Sequence, residues 1–212
     1  MGILVGNVKV STTNSQSFVV NNGNAPSIQE DIYNNMPPAG FAGRLFLATD
    51  RNRWYRDTGT SWAQIGSVLL QEITGNIPGI SGTIQFNPGN NAPSITDGTE
   101  IISTTLTPLY STSRIVIQTS LLVGASNNNA TVGVAVFRDS TCILTTLTNI
   151  PSNNGLQNVS IFVVDIPNTT SQITYSMRMG PTGNQTATVN RDPSGNFWGG
   201  TLASNYIIYE LQ

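Results

Sequence analysis

Over its last 130 residues the chain alternates between short apolar runs and turn residues, and no apolar spacing follows a helical period. Residues 113–123, 131–138, 157–166, 171–179 and 200–211 each have the length and β-branched content of a strand, and Gly, Asn, Pro and Ser separate them. Short strands at this regular spacing predict an antiparallel sandwich, a module that binds, coats or assembles more often than it catalyses. The run 171–179 divides cleanly, with Ile173, Tyr175, Met177 and Met179 on one face and Gln172, Thr174, Ser176 and Arg178 on the other. The runs VGVAVF and IFVVDI are apolar on both faces. A sandwich covers one face of a strand, so such runs predict a second cover, either another subunit or a segment of the same chain. Residues 83–86 and 100–108 read as further strands ahead of these.

The pattern differs towards the N-terminus. Apolar patches at Ile3–Val10 and Phe18–Val20 suggest a hairpin or an extended arm. Ser27–Asn34 opens on a helix cap, Ser27 with Glu30 three residues on, and Pro37-Pro38 end it. Residues 43–66 read as a three-stranded meander carrying Trp54, Tyr55 and Trp62; so small a unit is marginal alone, so its aromatics need something to pack on. Residues 67–82, with Gly75, Pro78, Gly79 and Gly82, read as a linker. The expected organisation is an arm and meander over 1–66, a linker over 67–82 and the sandwich over 83–212.

Composition narrows the function. Charged residues make up 9% of the 212, against roughly 25% in ordinary soluble proteins. Surface polarity must come from amides and hydroxyls, which suits repeated packing between subunits because few charges need desolvation. The net charge is −2, with Lys9 the single lysine and Arg44, Arg51, Arg53 and Arg56 grouped in the meander. That is too little positive charge for nucleic acid or an anionic membrane surface, and no run is long enough to cross a bilayer. No secretory leader is visible, so synthesis in the cytoplasm without an obvious export route is expected.

Histidine is absent, which removes the usual general base and the commonest metal ligand. Cys142 is the only cysteine and is expected to be a small buried hydrophobe. No catalytic residues, metal site or cofactor are expected. Asp97, Glu100, Asp139, Asp165, Asp192 and Glu210 supply carboxylates from which a glycosidase pair could be drawn, but their places in turns and at strand ends favour structural roles. The candidate recognition loops are Asn127-Asn128-Asn129, Pro181–Gln185 and Arg191–Gly200; in the last, Asp192 shapes the turn while Phe197 and Trp198 could stack on a sugar.

Two stretches carry a resemblance. GRLFLATDRNRWYRDTGTSW is similar to a short element of tailed-bacteriophage tail, fibre and spike proteins, matching it at Gly43 to Phe46, Ala48 to Asp50, Trp54 to Asp57, Gly59 and Trp62. TDGTEIISTTLTPLYSTSRIVIQTSLLVGAS, with the later GVAVFRDST, resembles the jelly-roll domain that ends many phage fibre-like proteins. The resemblance implies a homotrimeric virion fibre, spike or head-decoration protein with a tumour-necrosis-factor-like or complement-C1q-like jelly roll. It implies that Arg44, Phe46, Trp54, Tyr55, Arg56 and Trp62 dock the chain to capsid or tail, and that the jelly roll is displayed, with a host-surface glycan as a possible ligand. The alternatives are a decoration, cement or collar protein that recognises nothing and, less favoured, a polysaccharide depolymerase.

Overall fold

The computed structural model describes residues 3–5, 8–10, 28–66, 69–87 and 91–212. The chain divides into two compact units, Met1–Val68 and Leu69–Gln212, and is all-β. In the first unit β1 (Ile3–Val5) and β2 (Val8–Val10) form an antiparallel pair. The expected apolar patch at Phe18–Val20 lies outside the described residues. Four further strands, β3 (Ile28–Asp31), β4 (Leu45–Ala48), β5 (Arg53–Asp57) and β6 (Trp62–Gln64), form one sheet in that order. β4 to β6 are the expected meander. β3 adds to it in parallel, where a helix was expected. Its backbone bonds to β4, and only a 3₁₀ turn at Tyr33–Asn35 follows before the prolines. Local capping signals lost here to a sheet edge that offered a full ladder of partners.

The second unit contains β7 (Leu69–Ile77), β8 (Ile80–Gly82), β9 (Thr99–Leu106), β10 (Arg114–Ala125), β11 (Ala130–Arg138), β12 (Thr141–Ile150), β13 (Leu156–Asp165), β14 (Ile173–Pro181), β15 (Ala187–Val189) and β16 (Ser204–Leu211). All pair antiparallel. One sheet is ordered β12-β11-β14-β9. The other is built around β10, whose twelve residues pair with β13 along one edge and with β16 and then β15 along the other. β7 extends it beyond β16, and β8 beyond β15. From β8 to β15 successive strands cross between the sheets except at the β11–β12 hairpin, while β7 and β8, like β15 and β16, follow one another within the β10 sheet; the chain so wraps as a jelly-roll sandwich.

The core lies between the sheets. Ile115, Ile117, Leu121 and Val123 of β10 and Val159, Ile161 and Val163 of β13 face Val132, Val134 and Val136 of β11. Ile173, Tyr175, Met177 and Met179 join them, as their alternation predicts. A partly buried polar cluster adjoins this core: Arg138 donates to both Asp165 oxygens at 2.9 and 3.1 Å, and the Tyr175 hydroxyl donates to Asp165 at 2.7 Å. Burial, and then that bond to a carboxylate, push the phenol far above its ordinary range.

Three expectations need correction. The linker read at 67–82 is largely strand: β7 pairs with β16 from Leu69 to Ile77, and β8 pairs with β15. Gly75 suggested a linker because glycine is a strand breaker, but it is there because the Tyr206 ring takes its side-chain space. Residues 83–86 form no strand. This segment crosses the outer face of the β12-β11-β14-β9 sheet, with Phe86 N–H on Pro181 O at 3.0 Å and Phe86 packed on Ala135 and Phe137. Arg178 anchors the far end of the segment through Asp97 O at 2.8 Å and Gly98 O at 2.9 Å. Finally, Cys142 is only half-buried, beside Phe86 on that outer face.

A Cβ at Gly75 would meet the Tyr206 ring at 2.5–2.6 Å. Gly75→Ala therefore destabilises the second unit by about 1–3 kcal/mol, as overpacking does. Chemical denaturation of Gly75→Ala checks this, and the added Tyr206→Leu substitution recovers part of the loss.

Candidate functional site

The meander splits the six expected docking residues between its two faces. Pleating turns Arg53, Tyr55 and Asp57 of β5 inwards and Trp54 and Arg56 outwards. Phe46 and Tyr55 are buried, and Trp62 packs on Phe46 at 5.9 Å while its indole N–H donates to Pro37 O at 2.7 Å. Tyr33 stacks on Tyr55 at 5.4 Å, with the Arg51 guanidinium 3.3 Å from the Tyr33 ring centre. Arg44 lies over Trp62 at 5.2 Å and over Phe41 at 4.9 Å. The aromatics expected to need a partner thus largely find one within their own unit.

Asp57 organises this small unit. It is fully buried and takes N–H bonds from Gly40, Phe41 and Gly59, with 2.9 Å to Phe41 and 2.7 Å to Gly59. Arg44 donates to it through Nε at 2.9 Å and again through a terminal nitrogen. Burial alone would raise its pKa. The backbone bonds and the arginine outweigh that and hold it at about 2. Arg44, Phe46, Tyr55 and Trp62 therefore form the internal frame. What remains outward is a row set by register, Leu47 beside Trp54 beside Ile65, with Trp54 40% and Ile65 44% exposed. Arg56 stands next to it.

Of the three predicted recognition loops, Pro181–Gln185 starts at the end of β14 and is tied to Thr131 O by Thr182 N–H at 3.0 Å and by the Gln185 amide at 3.5 Å, while no hydrogen bond joins Asn127–Asn129 to Arg191–Gly200 among the described residues. Asn127, Asn128 and Asn129 are exposed in the β10–β11 turn, where Asn129 takes a left-handed backbone and Asn128 accepts from Asn153 N–H. Arg191–Gly200 joins β15 to β16 and packs beside Gly79. Asp192 caps its turn, accepting from Ser194 N–H at 2.6 Å and Gly195 N–H at 3.1 Å. The Ser194 bonds hold the Asp192 carboxyl below its ordinary range. Trp198 is 77% exposed at φ 46°, a conformation that a bulky side chain seldom adopts. Its carbonyl accepts from the Thr201 hydroxyl at 2.9 Å, and Phe197 lies 6.4 Å from its ring.

One surface was legible in sequence only as a doubly apolar run. β11 is covered outside by Phe86, whereas the outer face of β13 stays exposed among the described residues. Phe162 is 64%, Val164 42% and Ile166 49% exposed. Register places Val164 beside Val116 and Tyr209, and Phe162 beside Gln118 and Ile207. The carboxylates considered for hydrolysis are engaged structurally. Glu210 is buried and takes Leu109 N–H at 2.7 Å and the Gln71 amide, while Asp139 takes Thr174 N–H at 2.9 Å.

No protein-family model matches the chain, and no curated protein matches it. Among solved structures it is similar to the infectious bursal disease virus VP2 subviral particle, at 14% identity over 82% of this chain and 45% of that one, with a TM-score of 0.34. The Gt strain of that virus gives 14% identity, 74% and 45% coverage, and 0.34. A family two carbohydrate esterase from Cellvibrio japonicus gives 12%, 67% and 36%, and 0.24. The chain spans less than half the length of each of these, and likenesses this low bear on neither its fold nor its function.

The Asp57 network sets a pH dependence. Its folded pKa of about 2 lies below the ordinary 3.8, so its stabilisation is complete above pH 3.8 and is lost as pH falls towards 2. In a Trp198→Phe background the tryptophan emission reports the first unit alone. Acid titration then shows a transition in that window, and Asp57→Asn removes this pH dependence and lowers the unit's melting temperature.

Proposed function

We propose that this chain is a virion structural protein, a short fibre or spike that assembles as a homotrimer. The observation that carries the reading is the uncovered apolar face around β13. Phe162 and Val164 stand in solvent on an edge strand with Ile166 just past its end, and the half-buried Ile207 and Tyr209 of β16 lie on the same side across β10. Burying each large apolar side chain contributes about 1.5–3 kcal/mol. Apolar surface of this kind, with so few charges near it, fits another subunit better than water. A closed cyclic assembly covers it in every copy. The phage-like sequence elements at 43–62 and 96–126 support the same reading.

The first unit then docks the particle through its outward row, Leu47, Trp54 and Ile65 with Arg56, on capsid or tail. The loops Asn127–Asn129 and Arg191–Trp198 are displayed, and multiple copies compensate for weak contact with a host-surface glycan. A decoration or cement protein is the competing reading, and the outward Trp54 row suits it equally.

Light scattering behind size exclusion gives about 68 kDa for the full chain, three times its 22.6 kDa. Phe162→Glu, at a site exposed in the single chain, lowers this to monomer mass without loss of the far-ultraviolet β signal. A monomeric full chain would overturn the trimer. Deleting residues 1–68 abolishes incorporation into particles while the remainder keeps its cooperative melting transition; incorporation of the truncated protein refutes the docking assignment.

A further inference from the structure

The segment that covers β11 leaves a groove between itself and the edge strand β12. One hollow of about 210 Å³ is walled by Phe86 and Leu147 and floored by Gly133 and Ala135. A second, of about 340 Å³, continues along β12 to Cys142. The two meet at a waist where Asn91 and Pro93 face Thr145, residues that line both. Small residues at Gly133 and Ala135 create the depth, since β11 turns their side of the strand outwards. Leu147 stands 59% exposed at the mouth. Asn87 and Asn91 are exposed, and neither side-chain amide bonds to another described residue.

The chemistry of the lining selects the ligand. No charged side chain lines either hollow among the described residues. A phosphate, carboxylate or ammonium group would enter without a counter-charge and lose its hydration, so ionic ligands are disfavoured. A lipid tail would leave the amide and hydroxyl rim unpaired. What remains is a neutral ligand with an apolar face for the floor and adjacent hydroxyls for the rim. A side-chain amide carries a donor and an acceptor side by side and so matches a vicinal diol. The first hollow falls below the range of about 300–1,000 Å³ typical of drug-sized sites and the second lies at its lower end. Two of them joined at a polar waist fit two linked rings better than one bulky group.

We propose that the groove between β12 and the side chains of Phe86, Asn87, Asn91 and Pro93 binds a neutral saccharide, one pyranose ring in each hollow, with Asn91 and Thr145 at the glycosidic link. The inference stands on the groove and does not depend on the virion reading or on the Trp198 loop.

Cys142, the chain's only cysteine, lines the second hollow and provides the readout. The full-length protein is alkylated with a maleimide in the presence of cellobiose, lactose, maltose or N,N′-diacetylchitobiose, and the same mixtures are followed by saturation-transfer NMR. At least one disaccharide slows alkylation saturably, with a Kd in the range of about 1–10 mM. Asn91→Ala weakens that protection by about tenfold, the cost of an unreplaced amide pair. Thr145→Trp, which fills the waist from an exposed position, abolishes it, and Trp198→Ala leaves it unchanged. Melting curves show that these three variants stay folded. The proposal fails if no disaccharide on the panel slows alkylation or shows saturation transfer up to about 100 mM. It fails equally if protection survives Thr145→Trp, or if it is lost with Trp198→Ala alone, which would assign the sugar to the β15–β16 loop.

Discussion

A β-sheet has two faces, and closing a sandwich covers only one face of each sheet. Everything else in the second unit follows from how the remaining faces are treated. Apolar side chains left on an outer face cost free energy in proportion to their area, so they must be covered or must serve as a contact. On the β12-β11-β14-β9 sheet the chain supplies its own cover. Phe86 seals Ala135 and Phe137, and the Arg178 bonds to Asp97 O and Gly98 O hold the far end of that segment in place. On the other sheet no described residue performs that task for Phe162, Val164 and Ile166. Two runs that look equivalent as text, VGVAVF and IFVVDI, thus have opposite fates.

The same economy governs the charges. With so few available, these ion pairs hold architecture: Arg44 with Asp57, Arg138 with Asp165 and Arg178 with Glu100. The first ties the residue that precedes β4 to the end of β5. The second bridges the two sheets, because Arg138 lies on β11 and Asp165 on β13. Surfaces left over are amide and hydroxyl surfaces. These dehydrate at lower cost than charged ones, which suits both packing between subunits and contact with neutral ligands.

The groove beside β12 is a by-product of the first constraint. A covering segment that packs one phenylalanine tightly on small residues cannot also fill the space over the neighbouring edge strand. Phe86 satisfies the apolar floor, and the polar residues that flank it stand around a hollow. Coverage of a core and the hollow beside it therefore share one residue, Phe86.

The amino-acid sequence by itself determined the class of fold. Period-two alternation and turn residues are local properties, and they placed β10, β11, β13, β14 and β16, the meander, and the core face of Ile173, Tyr175, Met177 and Met179. Where a residue's role depends on a distant neighbour, the local signal misled. Gly75 resembles a linker glycine until the Tyr206 ring, 131 positions away, is seen in its place. Arg44, Phe46, Tyr55 and Trp62 are expected contacts for another protein until Asp57 and Pro37 are seen to bind them internally. The threonine-rich β12 has too weak a pattern to stand out, although it forms one wall of the groove. Only the tertiary structure decided which apolar faces are closed and which are open, because coverage is a relation between segments far apart in the chain and periodicity reports only on neighbours.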